Sequence, residues 1–151
     1  MARGAGAKTR RPFALLGRTA LEHHVPEART AAAHWGLESN LAWMRRPLED
    51  GRFGYLALRR HLDWVTGEVG VSDAALDLEE LPLLAGPFPG PGGRDPGPRW
   101  RIRLGALLHD EDRWWRVEDD EPALRERLEW LVLQLRVKAG TLFARGAPGR
   151  R

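Results

Sequence analysis

The chain of 151 residues contains no cysteine. That excludes disulfides and thiolate metal sites, and it makes a reducing compartment, the cytoplasm, the expected location. It also lacks a long apolar run. Arg18, Glu22, His23 and His24 interrupt the one candidate near the N-terminus, so neither a signal peptide nor a membrane span is expected there. Serine occurs only at Ser39 and Ser72, neither on a nucleophile turn. Phosphate-loop, zinc-protease, hydrolase-elbow and dinucleotide-binding motifs are all missing, which argues against those enzyme classes.

What the chain does have is positive charge, with a sequence pI of about 10.1. Its location matters more than its amount. Arg3, Lys8, Arg10 and Arg11 open the chain, and Arg145, Arg150 and Arg151 close it, with no acid in either stretch. Removing those seven bases from the formal net charge of +3 leaves residues 13–144 at −4. A duplex reader concentrates its bases on a folded face. The expected organisation is therefore a basic disordered tail over 1–11, a single domain over 12–144 and a second basic tail over 145–151.

Within the domain, Phe13, Leu16, Ala20 and Leu21 recur at helical spacing. Pro26 divides the stretch, which predicts helices over 13–24 and 26–35, the second stopped by Gly36. The period then becomes two. Strands are expected near 41–47, 53–60 and 64–71, joined by turns at Glu49-Asp50-Gly51-Arg52 and His61-Leu62-Asp63. Residues 82–98 are too rich in proline and glycine for anything but a loop. Trp100–Leu104 alternates again, and Trp114–Val117 reads as a short extended segment, with Trp115 and Val117 inward and Trp114 outward. A long final helix follows, with Asp119 or Asp120 as its cap, Pro122 in its first turn and Gly140 past its end. Its stripe Leu124, Leu128, Leu131 and Leu135 is flanked by a second, Trp130, Leu133 and Val137, which predicts packing on more than one side. The fold class expected is α+β: a small antiparallel sheet of about four or five strands, packed by N-terminal helices and a long C-terminal helix.

Arg101-Ile102-Arg103-Leu104-Gly105-Ala106-Leu107-Leu108, then Asp112-Arg113-Trp114-Trp115-Arg116-Val117 ahead of a final helix, resembles the bacterial family designated domain of unknown function 4304. The strand Trp64–Val71 is similar to the family strand ending in Gly-Val. The resemblance implies a small α+β domain and no catalytic residues.

Chemistry-bearing clusters are few. His23 and His24 are adjacent and point about 100° apart on a helix, so they make a poor metal pair, and Glu27 is the nearest acid across Pro26. The turns His61/Asp63 and His109/Asp112 offer shallow acid–base or metal chemistry at most. Asp63 with Glu68 suggests a nuclease strand, but Gly70 occupies the position where that site needs lysine. No catalytic, metal or cofactor site is assigned. Seven tryptophans are the unusual feature, and tryptophan beside arginine is characteristic of protein interfaces. The first reading is a non-catalytic protein-interaction domain of a bacterial system, an immunity or defence accessory factor by association. Its contact residues would be Trp114, Arg113, Arg116, Trp64, Arg59, Arg101 and Arg103. The alternatives are a nucleic-acid-binding accessory protein that uses Arg59, Arg60, Arg101, Arg103 and the tails, with strands 53–60 and 100–104 as neighbours, and an enzyme of unknown chemistry at the two histidine turns.

Overall fold

A computed structural model describes residues 12–84 and 96–145. The basic tails over 1–11 and 146–151, and most of the 82–98 loop, lie outside the described residues. Helix α1 spans Phe13–His24, and strands β1 to β6 span His34–Glu38, Leu41–Pro47, Phe53–His61, Trp64–Ser72, Trp100–Arg103 and Trp115–Arg116. Between β5 and β6 lies helix α2, Leu104–His109, and the described chain closes with helix α3, Glu121–Arg145. The sheet is antiparallel in the order β1-β2-β3-β4-β5, with β6 also on β4. This is the expected α+β architecture.

Strands β5 and β6 are two pieces of one edge. Glu68–Val71 of β4 pair with Arg103–Trp100, and further along the same strand Trp64 and Val65 pair with Arg116 and Trp115. The chain between leaves the edge as α2 and returns through an acidic turn. Gly105 permits that return, because a Cβ there would stand 2.3 Å from the backbone nitrogen of Arg113.

The sheet has two covered faces. Met44, Leu56, Leu58, Val65, Val69, Val71 and Ile102 point toward α1 and α3 and join Leu21, Leu128, Leu131 and Leu135 in the main core. Alternate residues Leu41, Trp43, Tyr55 and Ala57 point the other way and are covered by Leu78 and Leu81. A side-chain clamp holds that cover in place. The Tyr55 hydroxyl donates to the Leu76 carbonyl at 2.7 Å and accepts from the Leu76 N–H at 3.1 Å, and Arg45 donates to the same carbonyl at 2.8 Å. An Asp77/Glu80 capping box then starts a 3₁₀ turn over Leu78–Glu80.

Several expectations need correction. The helix expected over 26–35 is a single 3₁₀ turn, Pro26–Arg29, followed by β1. Gly36 lies inside that strand and stops no helix; the Trp43 ring occupies the space of its absent side chain, where a Cβ would come within 2.2 Å. Helix α3 runs through Gly140 to Arg145 instead of ending before the glycine. Its cap is Asp120, whose carboxylate accepts from the Ala123 N–H at 2.7 Å. The leucine stripe is buried, whereas in the second stripe only Trp130 packs on the core, and Val137 is 68% exposed. Helix α2 was unforeseen, since six residues are too few for a periodic signal. Of the 82–98 loop, Leu83 bridges to Arg101 and so covers part of the free edge of β5.

The contrast along α3 is measurable. Leu131→Ala is expected to cost about 2–5 kcal/mol in urea unfolding, and Val137→Ala less than about 0.5 kcal/mol.

Candidate functional site: an arginine cluster on a buried glutamate

Period-two alternation puts Arg59, Thr66, Glu68, Arg101 and Arg103 on the same face of the sheet as Tyr55. Glu68 is wholly excluded from water there. Arg59 donates to it at 2.7 Å, Arg101 at 2.8 Å and Arg103 at 3.3 Å. Each arginine also reaches outward. Arg59 donates to Glu79 at 2.8 Å, Arg101 approaches Glu79 at 3.4 Å, and Arg103 donates to Asp112 at 2.8 Å while its guanidinium lies 5.0 Å from the centre of the Trp114 ring. Three cations thus face three carboxylates in one network. No buried side-chain nitrogen or oxygen among the described residues is left without a partner, which is the condition for a buried ionic group to be tolerated.

Protonation follows from this geometry. Burial pushes the Arg59 guanidinium down, but hydrogen bonds to Glu79 and Glu68 more than offset it, so it stays above the ordinary arginine value. The Glu79 carboxyl is held below the usual carboxylate range, chiefly by its hydrogen bond from Arg59.

The adjacency of strands 53–60 and 100–104 on which the nucleic-acid alternative is conditional does not occur, because β4 lies between them. Arg59, Arg101 and Arg103 nevertheless meet, each reaching across to the carboxylate on β4. Arg60 points to the opposite face and donates to the Leu62 carbonyl at 2.8 Å, so it stands outside the cluster.

At the end of the sheet, an open cleft of about 500 Å³ is lined by Asn40, Arg59, Arg60, His61, Glu79 and Trp114, among others. Beyond it Trp64 is 45% exposed, and Arg116 faces it in register across β4 and β6. Arg113 is exposed and pairs with Glu111 at 3.2 Å. Trp115 packs inward, its ring 5.5 Å from that of Trp130, and Val117 packs with it. Trp114 is half-buried on Arg103.

No hydrogen bond or ion pair among the described residues joins the His61/Asp63 turn to the His109/Asp112 turn. Asp112 is engaged by Arg103, and the His109 ring lies 6.2 Å from that of Trp115. No hydrogen bond or ion pair among the described residues joins His61 or His109 to an acid. His23 and His24 both reach Glu129 of α3, at 3.4 and 3.2 Å, and not Glu27; their hydrogen bonds, the one from His24 foremost, hold the Glu129 carboxyl below its ordinary value. Among the described residues no group of three or more histidines and acids is placed to hold a metal ion, and no helix is long and apolar enough to cross a membrane.

Comparison with known proteins returned no matching family model, no matching curated protein and no matching solved structure.

Removal of the central carboxylate tests the network. Glu68→Gln leaves three arginines facing one another and is expected to cost about 3–5 kcal/mol in chemical denaturation. Glu79 gives a pH signature. Its folded pKa lies below the unfolded value of about 4.3, so its stabilisation is complete above that pH and is lost as pH falls through the folded value. Glu79→Gln is accordingly expected to lower the unfolding free energy measured in urea at pH 7, by less than about 1 kcal/mol for so exposed a pair, and to differ less from the native chain at pH 3.

Proposed function

We propose that this domain is a non-catalytic module that binds a protein partner through the end of the sheet formed by Leu62, Trp64, Trp114 and Arg116. Leu62 carries the reading. It occupies the tip of the β3–β4 hairpin with φ of 55°, in the left-handed region, and 74% of its surface is exposed. That backbone conformation suits glycine or asparagine, and a leucine there bears strain while most of its side chain stays open to water. A hydrophobic side chain held outward at such a position supports contact with another molecule. Trp64 stands beside it, and Arg116 has no ion-pair partner among the described residues. Tryptophan and arginine are the residue types that dominate interface energetics.

Arg59, Arg101 and Arg103 act in this reading as the support of the surface. Their charges are engaged by Glu68, Glu79 and Asp112, which leaves little positive potential for a phosphate backbone and weakens the nucleic-acid alternative. The absence of cysteine favours a cytoplasmic setting. The resemblance to the bacterial 4304 family brings a cellular context and no activity, and an accessory role in defence is the association that context suggests.

The test is recovery of the tagged protein from its native cells at moderate salt, with and without nuclease, for the native chain and for Leu62→Gly and Trp64→Ala. Leu62→Gly is expected to keep its folding temperature or raise it, Trp64→Ala to remain folded with a lowered one, and both to lose a protein that the native chain retains after nuclease treatment. Retention of that protein by both folded variants, or loss of all bound material on nuclease treatment of the native chain, overturns the proposal.

A further inference from the structure

We infer that the free edge of β1 is a second docking surface, one that takes an extended basic segment of another polypeptide as an added strand. This edge lies across the sheet from Trp64 and Arg116, and it meets the surface proposed above only where Glu38, at its end, lines the same cleft as Trp114.

The hydrogen-bond phase of β1 follows from its neighbours. The Arg60 N–H donates to the Asn40 carbonyl at 2.9 Å. In an antiparallel ladder, residues alternate between bonding to one neighbour and to the other, so Leu41, next along β2, directs its backbone groups toward β1. Its register partner there is Glu38. Glu38, Gly36 and His34 therefore bond inward, and Trp35 and Leu37 direct their N–H and C=O groups away from the sheet. Among the described residues nothing pairs with that edge.

The surroundings of the edge differ on its two sides. On the side of Gly36, a groove over the Trp43 ring is walled by Glu38, Asp77, Glu79 and Glu80. Glu79 is engaged by Arg59 and Arg101, while Glu38, Asp77 and Glu80 have no ion-pair partner among the described residues. Arg45, opposite His34 in register, donates to the Leu76 carbonyl with its guanidinium 6.0 Å from the centre of the Trp43 ring, and the His34 ring lies 5.7 Å from that ring, so two basic side chains stand beside the four acids. On the other side Leu37 is 38% exposed and Leu15 of α1 47%. Leu15 stands one helical turn before Arg18, whose guanidinium lies 4.6 Å from the centre of the Trp35 ring, which puts it along the same margin. An added strand would alternate its side chains between these two environments. Basic residues would meet the acidic groove, and apolar residues would meet Leu37 and Leu15. The ligand defined by this geometry is a strand alternating arginine or lysine with aliphatic residues.

The probe is a fluorescent seven-residue peptide, Arg-Val-Arg-Val-Arg-Val-Arg, titrated into the full chain by anisotropy. Its counterparts carry glutamate in place of arginine, or N-methyl groups on alternate backbone nitrogens. Saturable binding is expected for the basic peptide, reduced by about tenfold or more by N-methylation in one of the two possible phases, by Glu38→Lys and by Leu37→Asp. Glu118→Lys, a charge reversal at an exposed site elsewhere, and Trp64→Ala are expected to leave it unchanged. Equal binding of the N-methylated peptides or equal binding by Glu38→Lys overturns the inference, since charge or strand pairing would then play no part. So does absence of binding, or self-association of the chain, seen by sedimentation, that Leu37→Asp abolishes, because the edge would then be occupied by a second copy.

Discussion

A carboxylate with none of its surface open to water has to be neutralised from within the protein, and in this fold that requirement organises a whole face of the sheet. Glu68 sits on β4 with Arg59 of β3 on one side and Arg101 and Arg103 of β5 on the other. Three cations around one anion would repel, so the surplus charge needs further acids. Glu79 supplies one from the segment clamped by Tyr55, and Asp112 another from the turn after α2. The covering segment and the interrupted edge strand are thereby tied to the same central charge. Ionic groups of this kind add little net stability compared with a well-packed apolar core, but they penalise any arrangement that leaves one of them unpaired.

The opposite face is held by ordinary packing. Helices α1 and α3 lie on alternating aliphatic residues of β2 to β5, and the same period that directs valines to the helices directs Thr66, Glu68 and Ser72 away from them. The two faces answer different needs. One buries apolar area without specific geometry, and the other fixes register, since a one-residue slip of β5 would carry Arg101 and Arg103 to the helix side.

The strands β2, β3 and β4 and the leucine stripe of α3 were legible because each repeats a period over several residues. Strand β1 was not, because Trp35 and Leu37 at an edge imitate the end of a helix begun at Pro26, and a glycine filled by the ring of a residue on the next strand leaves no trace in its own segment. The arginines were recognised as a group, but the relation that unites them was not. Glu68 reads in the sequence as one acid on a valine-rich strand, and nothing local reveals that its side chain would be closed off from water among three arginines. The pairing of His23 and His24 with Glu129 was similarly hidden, since it joins residues more than a hundred positions apart. Leu62 was placed in its turn, yet its left-handed backbone belongs to the tightness of the closed hairpin and not to its composition.

The break between β5 and β6 also bears on how copies of this molecule can associate. Growth of a fibre by edge-to-edge strand pairing needs two open edges on every unit, one to accept and one to offer. Here one margin of the sheet is split into a four-residue and a two-residue piece by a helix that departs and returns, and such a margin is a poor template. Among the described residues only β1 remains a continuous open edge. Strand addition confined to that edge would occur once per molecule and then stop, so such a fold would carry a single added strand, or close a symmetric pair, without becoming a polymer.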